Sequence, residues 1–110
     1  MLNVFTEAPR ELLAAMCDSV GAGSYSDWEL HEDGSFRYRG AMGRWRNAGK
    51  LVPKRYPYGV TLLYCGLRKK SLRAELSLRA KLHGQMLEIL AKDFLGSYSF
   101  IVFEPKPLST

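Results

Sequence analysis

The 110-residue chain is long enough for one hydrophobic core, and we interpret residues 1–110 as a single domain. Its 46% of hydrophobic and 25% of charged residues are typical of a soluble globular protein and exclude a fibrous or low-complexity chain. The net charge of +5 favours acidic partners. No apolar run approaches the ~18 residues of a membrane helix, and a signal-peptide pattern is missing, so we expect a cytoplasmic protein with no membrane partner.

The first predicted element is an amphipathic helix over about residues 7–20. Thr6 is a candidate cap, and Glu7 and Pro9 suit the first helical turn because an acid complements the helix dipole and a proline there loses no hydrogen bond. The following apolar residues recur at helical spacing: Leu12, Leu13, Met16, Cys17 and Val20. The pattern therefore predicts that a helix opens the fold.

Residues 27–47 read as three antiparallel strands, because apolar and charged residues alternate in them. A loop of residues 32–34, with Gly34 in the left-handed conformation, places Leu30 opposite Phe36 and Trp28 opposite Tyr38. The next turn, at residues 41–42 or 40–43, puts Tyr38 opposite Trp45 in either case. The aromatic residues then share one face, and the opposite face carries Asp27, Glu29, Arg37, Arg39, Arg44 and Arg46.

The segment after these strands contains two prolines, Pro53 and Pro57, so residues 51–59 are predicted to be a short edge segment or a loop. The continuous apolar run of residues 60–65 is predicted to be a buried strand. A basic turn, Arg68 to Lys70, follows it.

Residues 72–83 favour a helix by composition, yet every even position from 72 to 82 is apolar and every odd one is polar. A helix would bring Glu75, Arg79 and His83 onto the apolar stripe, so the alternation predicts a long strand. Residues 86–91 and 98–103 are also predicted to be strands, each apolar on both faces. Their second faces need a cover, which the helix or a homodimer partner could supply. Residues 105–110 are interpreted as a loose tail.

These elements predict a mainly β, α+β fold, in which an amino-terminal helix precedes seven or eight antiparallel strands in meander order over about residues 27–104. The sheet would form a small closed or nearly closed barrel, or alternatively a strongly curved open sheet around the helix. The aromatic run from Trp28 to Trp45, with the later hairpin and last strand, resembles small lipocalin-like (calycin-type) barrels. The resemblance implies barrel topology and carriage of a ligand.

The first functional hypothesis is non-enzymatic binding of a small apolar or aromatic ligand inside the barrel, because binding sites combine apolar walls with few polar groups. Lys54 and Arg55 would favour an anionic ligand. Alternatively, the aromatic residues fill the barrel interior completely and leave no cavity. The candidate ligand-binding residues are Trp28, Phe36, Tyr38, Trp45, Arg55, Tyr56, Tyr58 and Tyr64.

Two other functions remain open. The chain could be a homodimeric protein-interaction module with a solid core, joined through strands 86–91 and 98–103. It could also bind nucleic acid through the basic outer face, with Lys69 and Lys70 extending the track. One observation speaks against nucleic acid. The predicted register places the aromatic residues on one face of the sheet and the arginines on the other, so bases could not stack where phosphates bind.

No catalytic residue, metal site or cofactor is predicted. His31 and His83 both fall at predicted turns and are interpreted as surface residues, without a cysteine or serine at a recognisable spacing. Cys17 and Cys65 form no metal-binding motif and are interpreted as reduced thiols in the core.

Overall fold

The computed structural model describes residues 1–39, 49–66 and 71–104, which form an α+β fold. These residues make one antiparallel sheet of six strands, in the order β2-β3-β4-β5-β1-β6, and two helices. In chain order the elements are β1 (Leu2–Phe5), α1 (Pro9–Gly21), β2 (Trp28–Leu30), β3 (Phe36–Tyr38), β4 (Gly49–Tyr56), β5 (Gly59–Gly66), α2 (Leu72–Asp93) and β6 (Phe100–Phe103).

Both helices pack against one face of the sheet and enclose a single core. Helix α1 contributes Leu12, Met16 and Val20, and all three are 3% exposed or less. Helix α2 contributes a buried stripe at a spacing of four residues, namely Leu78, Leu82, Met86 and Leu90. The sheet supplies Leu2, Val4, Trp28, Phe36, Tyr38, Leu51, Val60 and Leu62. The molecule therefore has two layers, helices on one side and the sheet on the other.

The predicted barrel is wrong, because the described strands form an open sheet whose ends, β2 and β6, lie at opposite edges. The predicted order of a helix followed by seven or eight meandering strands is also wrong. Strand β1 precedes α1 and lies between β5 and β6, with Leu2 opposite both Leu62 and Phe103. This insertion breaks the meander and places the carboxyl-terminal strand at an edge.

The long strand predicted for residues 72–83, and the strand predicted for 86–91, are both wrong, because α2 spans Leu72–Asp93. Ser71 caps the helix, since its Oγ accepts a hydrogen bond from the backbone N of Ala74 at 3.2 Å. Helix α2 takes His83 into the core, at 2% exposure, while Glu75 and Arg79 are half-buried. The polar residues at helical spacing were therefore no obstacle to a helix.

The first predicted hairpin is confirmed. Leu30 lies opposite Phe36 and Trp28 opposite Tyr38. Gly34 has a φ of 83°, the left-handed conformation that the three-residue loop needs. The predictions for the second hairpin and Trp45, for Arg44 and Arg46, for the basic turn with Lys69 and Lys70, and for the tail 105–110 lie outside the described residues.

Residues 49–56 form the eight-residue strand β4 instead of a loop. Its described pairing with β3 ends at Leu51, which lies opposite Phe36, while pairing with β5 continues to Tyr56. Pro53 therefore lies beyond the described pairs between β4 and β3. Its missing N–H breaks no hydrogen bond between these two strands. The strand predicted at 60–65 is confirmed within β5, and that at 98–103 is observed as the shorter β6.

Candidate functional site

The described helices leave one face of the sheet uncovered, and we call it the open face. Its side chains alternate along the strands with those of the core, and each is half-buried or exposed. The open face carries Asn3, Phe5, Glu29, Arg37, Lys50, Val52, Lys54, Tyr56, Thr61, Leu63, Phe100 and Val102. It is thus basic on β3 and β4 and mainly apolar on β1 and β6.

Three aromatic residues occupy register positions that follow one line across the open face, and we call them the aromatic row. Phe5 lies opposite Phe100 on one side and opposite Gly59 on the other, and Gly59 lies opposite Tyr56. The rings of Phe5 and Phe100 are stacked, with centroids 4.5 Å apart and planes inclined by 18°. The row is therefore Phe100, Phe5, a position without a side chain, and Tyr56.

A groove of about 360 Å³, which we call the slot, lies at this point of the sheet and is lined by residues 3–5 and 56–61. Its volume falls within the ~300–1000 Å³ typical of ligand sites. Two strand spacings of about 4.8 Å separate the backbones at Tyr56 and Phe5, which leaves room for a flat group between the rings. The turn at Pro57 and Tyr58 closes one end of the slot, and Tyr58 is 78% exposed.

A polar row lies beside the slot. Lys54 lies opposite Thr61, which lies opposite Asn3. The Thr61 hydroxyl donates to Asn3 Oδ1 at 2.8 Å, and Asn3 Nδ2 donates to Glu104 Oε1 at 2.9 Å. These hydrogen bonds hold the side chains of Thr61 and Asn3 in place. Lys54 is exposed and forms no ion pair with the residues that the structure describes. Its ammonium group is therefore available to an anion next to the slot.

Two other described cations lie within ion-pair distance of carboxylates. Lys50 Nζ is 3.1 Å from Asp33 Oδ2. The pKa of Asp33 is held below its usual range mainly because the hydroxyl and backbone N–H of Ser35 donate to its carboxylate, with Lys50 adding to the effect. Arg39 Nε is 3.7 Å from Glu29. Of the two lysines on the open face, Lys54 is thus the one without a described carboxylate within ion-pair distance.

The predicted ligand-binding residues are divided between three places. Trp28, Phe36 and Tyr38 are 2% exposed or less and pack in the core, where the rings of Trp28 and Tyr38 meet edge to face at 5.4 Å. Tyr64 is half-buried below the Arg79 guanidinium, which is 5.3 Å from the ring centroid. Arg55, Tyr56 and Tyr58 lie together on the exposed hairpin. Trp45 lies outside the described residues.

The slot therefore includes Tyr56 and Tyr58, together with two residues that the sequence analysis missed, Phe5 and Gly59. The signal for Phe5 was the alternation of residues 2–5, which is short but typical of a strand. Its position opposite Gly59 depends on the insertion of β1 and has no local signal.

The histidines and cysteines do not form a second site. His83 is buried and not on the surface as predicted, whereas His31 lies at the surface with its Nε2 2.6 Å from Glu29 Oε1. Both cysteines are free, but Cys65 is exposed and not in the core. Among the described residues, no cluster of three or more His, Cys, Asp or Glu residues could hold a metal ion. None of the helices described is both long enough and apolar enough to cross a bilayer.

No protein-family model matches this chain, and searches of curated proteins and of solved structures returned no significant match.

Proposed function

We propose that the protein binds single-stranded nucleic acid on the open face, with one base inserted in the slot between Phe5 and Tyr56. The observation that carries the proposal is the aromatic row with its vacant position beside Lys54. Single-stranded nucleic acids are held by stacking of bases on aromatic side chains and by cations that follow the phosphates. An inserted base would extend the existing stack of Phe100 and Phe5.

The arrangement of cations supports a strand of several nucleotides over a single nucleotide. Lys54 and Lys50 lie on the same face of β4, four residues and therefore about 13 Å apart. Arg37 on β3 lies opposite Lys50. The phosphates flanking an inserted base could thus contact Lys54 and continue towards Lys50 and Arg37. The net charge of +5 would further favour a polyanion.

Aromatic residues and arginines lie on different faces, as the sequence predicted, in only part of the sheet. Trp28, Phe36 and Tyr38 do lie on the face opposite Arg37. Strands β1, β4 and β6, however, bring Phe5, Tyr56 and Phe100 to the basic side. The packing of Trp28, Phe36 and Tyr38 in the core also weakens the case for an interior ligand, since these residues were to line its pocket.

Replacement of Tyr56 by leucine tests the stacking. The change keeps an apolar side chain but removes the ring, and base stacking is worth about 1–3 kcal/mol per base. We therefore expect the dissociation constant for a dye-labelled, mixed-sequence single strand of about 12 nucleotides to rise roughly 5- to 150-fold. Fluorescence anisotropy with DNA and RNA probes at several salt concentrations measures it.

Two lysine variants of equal charge change provide the matched control. Lys54→Gln should reduce the slope of log affinity against log salt by about 0.7, the value for one phosphate contact on a single strand. Lys92→Gln, on the far side of the molecule in α2, should leave the slope unchanged. Equal effects of both variants, equal affinity for duplex, or binding of nucleoside monophosphates alone would contradict the proposal.

A further inference from the structure

In the described sheet β6 is an edge strand, and the outer side of its backbone pairs with no other described strand. The backbone N of Glu104 donates to the carbonyl of Met1 at 2.8 Å, so Glu104 directs its N–H towards β1. The direction of the backbone N–H and C=O groups alternates from residue to residue along an antiparallel strand, so those of Phe100 and Val102 also point towards β1. The N–H and C=O groups of Ile101 and Phe103 therefore point to the open edge.

Strand β6 also lacks the usual protection of an edge. All four of its residues, Phe100 to Phe103, are apolar, with no charge or proline to oppose pairing. Phe100 is 55% exposed, Val102 37% and Phe103 44%. The first two lie on the open face and Phe103 on the helical side, so the apolar surface continues around the edge.

Helix α2 extends this surface. A shallow apolar groove of about 180 Å³ beside β6 is lined by Leu2, Ala80, His83, Gly84, Leu87 and Phe103. Leu76, Ala80, Gly84 and Leu87 follow one another at helical spacing on the exposed side of α2, where Leu76 is 49% and Leu87 39% exposed.

Nothing among the described residues of one copy requires a glycine at position 84. It lies inside α2, where glycine costs about 1 kcal/mol relative to alanine. A Cβ added to it would meet no atom within 4 Å, and its φ is not positive. A small residue at this point of the groove is, however, suited to the close approach of another backbone or side chain.

We infer that a second copy of this chain covers the edge, so that β6 pairs antiparallel with β6 of the partner and the exposed stripe of α2 packs against the partner's stripe. Pairing centred on Ile101 or on Val102 joins the unpaired backbone groups of both strands and keeps each face continuous. The surface is self-complementary because each copy offers the same open edge and the same apolar stripe.

A stable interface buries about 800 Å² per partner. The half-exposed side chains of Phe100, Phe103, Leu76, Leu87 and Val102 offer roughly half of this area. The backbone edge of β6 and the residues beside the stripe would supply the rest. The slot lies between β1 and β4, away from the edge at β6, and stays accessible in such a dimer, so the inference does not depend on the proposed function.

Sedimentation velocity over a range of concentrations tests the dimer. We expect the wild-type protein to reach twice the monomer mass of 12.4 kDa. Phe103→Lys and Gly84→Arg should each raise the dissociation constant at least 30-fold, as is typical when the centre of an interface is altered. Because Gly84 has open space and arginine favours a helix, Gly84→Arg should keep the monomer folded, which circular dichroism verifies.

Leu95→Lys is the matched control, because Leu95 is 77% exposed but lies in the turn after α2, outside the stripe. It should leave the dimer unchanged. Amide exchange at Ile101 and Phe103 should slow as the concentration of wild-type protein rises. A wild-type protein that stays monomeric, a dimer unaffected by Phe103→Lys and Gly84→Arg, or equal disruption by Leu95→Lys would overturn the inference.

Discussion

Replacement of Gly59 by alanine is expected to lower the free energy of unfolding by about 3 kcal/mol or more. A Cβ at this position would lie 2.1 Å from the carbonyl oxygen of Val4, 3.1 Å from its carbonyl carbon and 3.2 Å from the Cα of Phe5. All three atoms belong to the backbone of β1, so no side-chain rotation relieves the overlap. Strand β1 would have to move away from β5, and β6 is paired to β1 alone in the described sheet.

Urea denaturation measures this loss. Gly84→Ala is the control, because the same substitution is expected to have the opposite effect there. A methyl group at Gly84 has open space and favours the helix, so the same substitution should there raise the free energy of unfolding by up to about 1 kcal/mol. Both changes are best compared in the Phe103→Lys background, in which self-association does not contribute. A Gly59→Ala protein within about 0.5 kcal/mol of its parent would show that β1 and β5 do not approach each other as closely as described.

The first hairpin was predictable because everything that determines it is local. The side chains alternate on both sides of one glycine, and the three-residue loop, unlike a two-residue one, brings Trp28, Leu30, Phe36 and Tyr38 to the same face. Propensity, turn geometry and burial all favour the same register there, and the structure has it.

The segment that became α2 carries two patterns at once. Leu78 and Leu82 belong to a stripe with a spacing of four, but together with Leu76 and Ala80 they also alternate with polar residues. Over residues 72–83 the alternation looks decisive. The stripe becomes clear only when Met86 and Leu90 are added, and burial of that stripe, together with helix propensity, decides the structure.

The candidate site was only partly predictable, because its two walls lie far apart in the sequence. Tyr56 and Tyr58 were selected from the unusual composition around Pro57. Phe5 reaches Gly59 only because β1 lies between β5 and β6, a pairing set by packing of Leu2 and Val4 in the core. No local pattern encodes such a long-range pairing, so the sequence could not place the aromatic row.

Acidification from pH 6.5 to 4 is expected to destabilise the protein through His83 by up to about 3 kcal/mol. The side chain is 2% exposed, and burial lowers its pKa from 6.5 to about 4, with smaller contributions from the positive charges of the amino terminus and Arg79. In the unfolded chain the pKa is ordinary. Between pH 6.5 and pH 4 the unfolded state therefore binds a proton that the folded state does not. The free energy of unfolding has its full value above pH 6.5 and decreases as the pH falls from 6.5 to 4.

His83→Gln isolates this contribution. Glutamine cannot titrate, but its amide can still donate to the carbonyl oxygen of Arg79, which lies 2.9 Å from Nδ1 of His83. Glu29 and Asp33, whose pKa values are lowered, also lose stabilisation in acid, but they do so equally in both proteins and cancel in the comparison. The difference in unfolding free energy between wild type and variant should therefore change between pH 6.5 and 4 and be constant above that range. Parallel curves, or a His83 that titrates near pH 6.5 by NMR, would mean that the ring is solvated in the folded protein and that the groove beside Phe103 is open to water.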